Sequence, residues 1–305
     1  MNNKTMNPSR LNTLGTVGAL ATAFFAALPA QAQTVQSWMN TDVGAAWSAG
    51  YKGQGVTITV VDDFRSASKF SGNLGTGVLT QRHGEWTSKE ASMLAPLATL
   101  RTQDYTTGVS VPLAATGLNV LNLSYGMYAR SGYLASQIGW SAQERSIITD
   151  ASKGLAVVAK AAGNDAIPVG GTTAAGTTDY LNLALKGTAS AIYVGALNTN
   201  GSTAKPATLA SYSNTAGSDA TVQSHFLVVG VEGSKTGLYG TSFAAPVITG
   251  YAAILGSKFK TANATQVTNQ LLATARTDTI SGYTAARYGR GEASLSRALA
   301  PVAIR

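Results

Sequence analysis

VTITVVD (56–62) is a run of apolar and β-branched residues that ends in a carboxylate. A strand with one wet face alternates apolar and polar residues. An unbroken apolar run marks a strand covered on both faces, as in a parallel sheet. Working outward, LATLRT (97–102), VLNLSY (120–125), LAVVAKAA (155–162) and AIYVGAL (191–197) have the same habit. Between and after them, residues 85–94, 133–152, 243–257 and 264–275 read as helices. This alternation predicts an α/β fold of three layers, a mostly parallel central sheet with helices on both faces. In such a sheet functional residues collect at the carboxyl ends of the strands. Residues 164–187, rich in Gly, Thr and Ala, read as a loop excursion. No repeat or linker interrupts the pattern, so residues 33–305 are expected to form one domain.

Composition narrows the chemistry. Charged residues make up 12% of the 305 and hydrophobic residues 45%, which excludes a chain disordered for want of apolar surface. Cysteine is absent and there are two histidines, His83 and His225, which excludes thiol catalysis, disulfide staples and Cys/His zinc sites. The net charge of +8 comes from singly scattered Lys and Arg, with no basic run, so a solvated surface and no nucleic-acid partner are expected. Residues 1–32 carry Lys4 and Arg10, an apolar stretch from Leu14 to Leu28, then Pro29 and Ala30-Gln31-Ala32. That is the pattern of a secretory signal peptide cleaved after Ala32, with an apolar run shorter than the ~20 residues of a membrane span. Loss of Lys4 and Arg10 takes the formal charge to +6. The mature chain is expected to be secreted or periplasmic, with no membrane association.

Four junctions place a polar residue where acyl transfer would use one. VTITVV runs into Asp62, His83-Gly84 opens a helix, LAVVAKAA runs into Gly163-Asn164, and Gly240-Thr241 delivers Ser242 to a helix start. Acyl transfer needs a nucleophile, a base, a carboxylate to orient the base, and donors for the oxyanion. Each residue also has a plainer reading. Ser242 suits a helix N-cap, His83 a structural histidine, and Asn164 a turn. Asp63 competes with Asp62, and His225, in SHFLVV, is the other histidine.

GTSFAAP (240–246) followed by VITGYAAIL resembles the nucleophile segment of the subtilisin-like serine peptidases. AAGND (161–165), NLSYG (122–126), GQGVTITVVD (53–62) and HGEWTSKEASMLAPLATL (83–100) resemble that family's other segments, in its order Asp, His, Asn, Ser. The resemblance implies Ser242 as nucleophile, His83 as base, Asp62 as its orienting acid and Asn164 as oxyanion donor. It implies a secreted, monomeric endopeptidase that hydrolyses polypeptides through an acyl-enzyme. Ser124, Tyr125 and Gly126, with Ala161, Ala162 and Gly163, match the strands that bind substrate, though Tyr125 equally suits strand packing. The small residues there suggest an open slot without a buried charge, and cleavage after large apolar or aromatic residues.

The sequence also departs from the family pattern. Trp86 stands where a second His is usual, and DDF (62–64) puts Phe64 where a small residue is usual. Bulk beside the base leaves an alternative, a catalytically inactive protein that binds peptides or another protein in the same groove. No pro-domain is recognisable between Gln33 and the first helix. No DxDxDG-like run is present, so no cofactor or metal is expected from the sequence, although the family can bind calcium through loop carbonyls. An α/β-hydrolase esterase is disfavoured, because GxSxG is absent and that fold orders its triad Ser, acid, His.

Overall fold

Six parallel strands form the central sheet of the computed structural model, which describes Thr34–Arg305 as one unit. Numbered along the chain they are β1 Val56–Asp62, β2 Thr99–Asp104, β3 Leu118–Leu123, β4 Ala156–Ala161, β5 Ala191–Leu197 and β6 Phe226–Gly230. Their order is β6-β5-β4-β3-β1-β2, with every neighbouring pair parallel. The segment read as a signal peptide, residues 1–32, lies outside the described residues. Among the described residues, no helix is long and apolar enough to cross a membrane.

The pleat of β1 explains the layers. Val56, Ile58 and Val60 join one apolar cluster while Val61 joins the other, because successive side chains point to opposite faces. The first cluster is closed by helices α1 His83–Leu94, α3 Ala245–Lys258 and α4 Ala264–Ala273, and the second by α2 Ala142–Lys153. Every residue of α3 except Lys258 is buried, as expected of a helix that is apolar all round. It packs on α1, β3 and β4.

The strand order places the site. From β1 the chain goes to β2 on one side, then returns to β3 on the other. Ligands of open parallel sheets bind where the order reverses, outside the carboxyl ends of the strands. Asp62 ends β1, Ser124 follows β3, and Ala162-Gly163-Asn164 follows β4.

Some local expectations need correction. β2 is not covered on both faces: it is an edge strand paired with β1 alone, and Leu100 is exposed. The helix expected over 133–152 begins only at Ala142, where the Ser141 hydroxyl accepts from the Gln143 N–H. Ahead of it, Tyr128–Arg130 pairs antiparallel with Thr177–Asp179. That ribbon and the short helix Tyr180–Ala184 give structure to the expected loop excursion 164–187. β6 is a sixth, fully buried strand beyond the five that the apolar runs predict.

Candidate active site

Asp62 is completely buried, and its carboxylate is saturated by donors. Oδ1 lies 2.6 Å from His83 Nδ1 and accepts from the Asp63 N–H, also at 2.6 Å. Oδ2 accepts from Thr87 Oγ1 at 2.7 Å. Because an ionised carboxylate only accepts, the bond to His83 fixes the proton on Nδ1 and leaves Nε2 as an acceptor. His83 is the first residue of α1, with its side chain partly exposed. Its ring is flanked by Phe70 at 6.2 Å and by Phe243, the neighbour of Ser242, at 5.7 Å between centroids. The competing residues sit elsewhere. Asp63 is a turn acid: burial opposes its charge, but bonds from Ser66 and from the Arg65 N–H hold its carboxyl below the usual range. His225 precedes β6, at the amino end of a strand, and contacts Ser224 Oγ and Thr221 O.

Ser242 lies in a 3₁₀ turn, Thr241–Phe243, that leads into α3. It is not a helix cap, since Ala244 holds the N-cap position and the Ser242 hydroxyl donates instead to Ser124 O at 3.3 Å. The return bond, Ser124 Oγ to Ser242 O at 2.9 Å, ties the turn to the end of β3. Asn122 Nδ2 in turn donates to Ser124 Oγ at 2.9 Å. Gly240 enters the turn with φ +119° and ψ 156°, a region open essentially to glycine. A Cβ there would stand 3.3 Å from Asn164 Nδ2.

The orientation of the Asn164 amide is set by its partners. Oδ1 accepts from the Thr241 N–H at 2.7 Å and from Thr241 Oγ1 at 3.0 Å, which leaves Nδ2 as a donor with no partner among the described residues. The Ser242 N–H has no partner among the described residues. Gly163, at φ +114°, makes the bend before Asn164. Asn214 braces this bend: Nδ2 donates to Ala162 O at 2.9 Å and Oδ1 accepts from the Asp165 N–H at 2.9 Å. Asn214 and Thr87 carried no sequence signal beyond, for Thr87, standing one helical turn after His83.

The subtilase family model, Peptidase_S8, matches residues 83–291, more than half of the chain. The chain belongs to the subtilase family. By family it is a serine endopeptidase, a hydrolase of peptide bonds. Among solved structures, MycP1 from the ESX-1 type VII secretion system matches with a TM-score of 0.55 and 19% identity, over 89% of this chain and 88% of that one. A lanthipeptide protease matches with 0.53 and 16%, over 83% and 90%. A protease from Pseudoalteromonas arctica PAMC 21717 matches with 0.51 and 18%, over 85% and 93%. At these identities the likeness carries the fold. No curated protein sequence matches the chain significantly. The family match begins at His83, so the place of Asp62 rests on its 2.6 Å contact with that residue.

In this subtilase the two expected substrate segments differ in what they can still bond. After β4, Ala161 O accepts from Lys160 Nζ, Ala162 O from Asn182 and Asn214, and Gly163 O from the Asn214 N–H. Their acceptors are occupied. After β3, by contrast, the Gly126 N–H and C=O bond to no described residue, and Ser124 O holds only the Ser242 hydroxyl. The Tyr125 ring turns away to pack on Tyr105, 5.5 Å between centroids, with its hydroxyl 3.5 Å from Glu144. Burial and the neighbouring Glu144 charge push its phenol pKa up.

A buried ion pair stands beside the expected slot. Lys160 and Asp179 form a buried ion pair, 2.9 Å apart, against Ala161 and Gly126. The bulk beside the base is also placed differently than its position in the sequence suggested. Trp86 is wholly buried, its Nε1–H donating to Phe70 O at 3.0 Å, and Phe64 packs under Gly84. Neither residue supplies a reason for an inactive groove.

Proposed function

We propose that this subtilase is a secreted serine endopeptidase working through an Asp62–His83–Ser242 triad and an acyl-enzyme. The single observation that carries the reading is the 2.6 Å contact between Asp62 Oδ1 and His83 Nδ1 beside the turn that presents Ser242. A substrate strand adds along Ser124–Gly126, where backbone groups are open, and its N–H takes Ser124 O as acceptor. That displaces the Ser242 hydroxyl, which turns to His83 Nε2. Oγ then attacks the carbonyl carbon while Nε2 takes its proton, and Asp62 stabilises the imidazolium. The oxygen that gains the charge meets Asn164 Nδ2 and the Ser242 N–H. Collapse breaks the C–N bond as Nε2 returns the proton to the leaving amine. Water then enters, gives a proton to Nε2, and releases the acid with Ser242 restored.

Side chains and backbone supply every step, and we propose that no cofactor takes part. Among the described residues, no three His, Asp or Glu side chains gather to hold a metal ion. Secretion is supported by the pattern of residues 1–32, and the exported protein is expected to begin at Gln33.

The test is the intact mass of the exported protein after exposure to a fluorophosphonate, beside Ser242→Ala. One adduct on the native chain, absent from the variant, is expected, together with loss of proteolysis in a variant whose circular dichroism is unchanged. A folded native chain that takes no adduct overturns the reading.

A further inference from the structure

In the substrate pose proposed above, the side chain next to the attacked carbonyl is directed toward the extensions of β3 and β4. Its carbonyl lies between Ser242 Oγ and Asn164 Nδ2, and its N–H faces Ser124 O, which sits 3.3 Å from Ser242 Oγ. The side chain then enters the gap between the extensions of β3 and β4, between Tyr125-Gly126 and Ala161–Gly163.

The Gly126 side of that gap is occupied by Tyr128 and Asp179. A Cβ on Gly126 would meet Tyr128 Cε2 at 2.5 Å, Tyr128 Cζ at 3.0 Å and Asp179 Oδ2 at 2.9 Å. The backbone that carries Tyr128 is held in place, because Tyr128 pairs with Asp179 across the Tyr128–Arg130/Thr177–Asp179 ribbon. The ribbon is itself tied by Ser131 Oγ to Thr178 Oγ1 at 2.8 Å and by Tyr180 OH to Arg130 O at 2.9 Å. Asp179 has no spare charge for a basic side chain. Its Oδ2 accepts from Lys160 Nζ, and its Oδ1 from the N–H groups of Met127 and Leu181. Tyr128 itself is half-exposed. Its hydroxyl pKa is pushed up to about 12 by burial and by the charges of Asp179 and Asp165.

We propose that Tyr128 closes the primary side-chain pocket of this subtilase, so that it cleaves after Gly, Ala and Ser and rejects large apolar and basic residues. This replaces the aromatic preference expected from the sequence, and it rests on the serine-peptidase reading above.

The test uses fluorogenic peptides that differ only in having Ala, Phe or Lys before the scissile bond. Native protein, Tyr128→Ala and Tyr128→Phe are compared, each also titrated with the fluorophosphonate. The native protein is expected to favour Ala over Phe and Lys by about tenfold or more in kcat/KM, and Tyr128→Ala to raise the Phe-to-Ala ratio at least about tenfold. Tyr128→Phe, which keeps the ring, keeps the native ratio. If native protein takes the probe but prefers Phe or Lys, the pocket proposal falls alone. It also falls if Tyr128→Ala takes the probe with its ratio unmoved. Native protein that takes no probe removes the peptidase reading and this proposal with it. Should Tyr128→Ala fail to fold, the native preference decides.

Discussion

Asp62 is a buried carboxylate with three donors on two oxygens, and each donor has its own task. The Asp63 N–H and His83 share Oδ1, while Thr87 alone holds Oδ2, and so sets how the carboxylate plane meets the imidazole. Thr87→Val removes that bond and strands Oδ2 in the interior, at a cost of about 1–3 kcal/mol. Denaturant unfolding is expected to show this loss. Fluorophosphonate labelling of Ser242 and kcat are expected to fall several-fold with KM little changed, and Thr87→Ser to restore them. A Thr87→Val enzyme with native kcat would leave Thr87 a packing residue only. At this scale the sequence was legible where a polar residue stands at the boundary of an element: Asp62 ends a strand, His83 opens a helix beside Gly84, Asn164 follows Gly163, and Ser242 comes two residues after Gly240. Thr87 and Asn214 stand at no such boundary. A hydroxyl inside a helix and an amide inside a loop look ordinary until the fold brings a distant partner to them.

Helix α1 presents His83 from its first turn, so the entry of the helix sets the base. Glu85 closes that entry: Oε2 accepts from the Arg82 N–H at 2.7 Å and Oε1 pairs with Arg82 Nη1 at 3.1 Å. The bond from the Arg82 backbone leads in holding the Glu85 carboxyl below its usual range. A carboxyl lowered in the fold adds stability above its unfolded pKa, and that part is lost as pH falls through the folded value. Glu85→Ala is therefore expected to cost about 0.5–1 kcal/mol at pH 7, the lower end reflecting solvent screening, with the gap to native protein shrinking in acid. Thermal melts across pH check it, and a gap that widens in acid would contradict it. Burial alone did not decide which elements were legible, since the missed β6 is buried throughout but only five residues long. The continuous apolar runs of β1, β3, β4 and β5 announced themselves. The Tyr128–Arg130/Thr177–Asp179 ribbon did not, because two three-residue strands are too short to carry a periodicity. The pocket-filling Tyr128 lies on that ribbon, so the fold could be read from the sequence while the shape of the cleft could not.

At the scale of the whole molecule, the carboxylates whose pKa values are shifted fall into two sets with opposite effects on acid stability. Asp63, Glu85, Asp104 and Glu232 gain donors on folding and have lowered pKa values, so they favour the fold at neutral pH. Glu90 opposes them. It lies on α1 two turns beyond His83, fully enclosed, and its Oε2 has no hydrogen-bond partner among the described residues. Burial raises its pKa well above the usual range. Between the unfolded pKa and this higher folded value the native state holds the extra proton, so stability contributed by Glu90 falls as pH rises. Below the unfolded value both states are protonated and the penalty vanishes. Glu90→Gln keeps the shape and cannot ionise, so it removes the penalty without opening a cavity. Its melting temperature is expected to match native protein near pH 4 and to exceed it by about 3 °C or more at pH 7.5, a shift worth roughly 1 kcal/mol in a chain of this size. Fluorophosphonate labelling at pH 7.5 then separates stability from chemistry. Glu90 is enclosed on the helix that presents His83, so stability and labelling that rise together would show that its charge loosens the base as well as the fold. A Glu90→Gln protein that melts lower than native at pH 7.5 would show that the carboxylate finds a partner in solution.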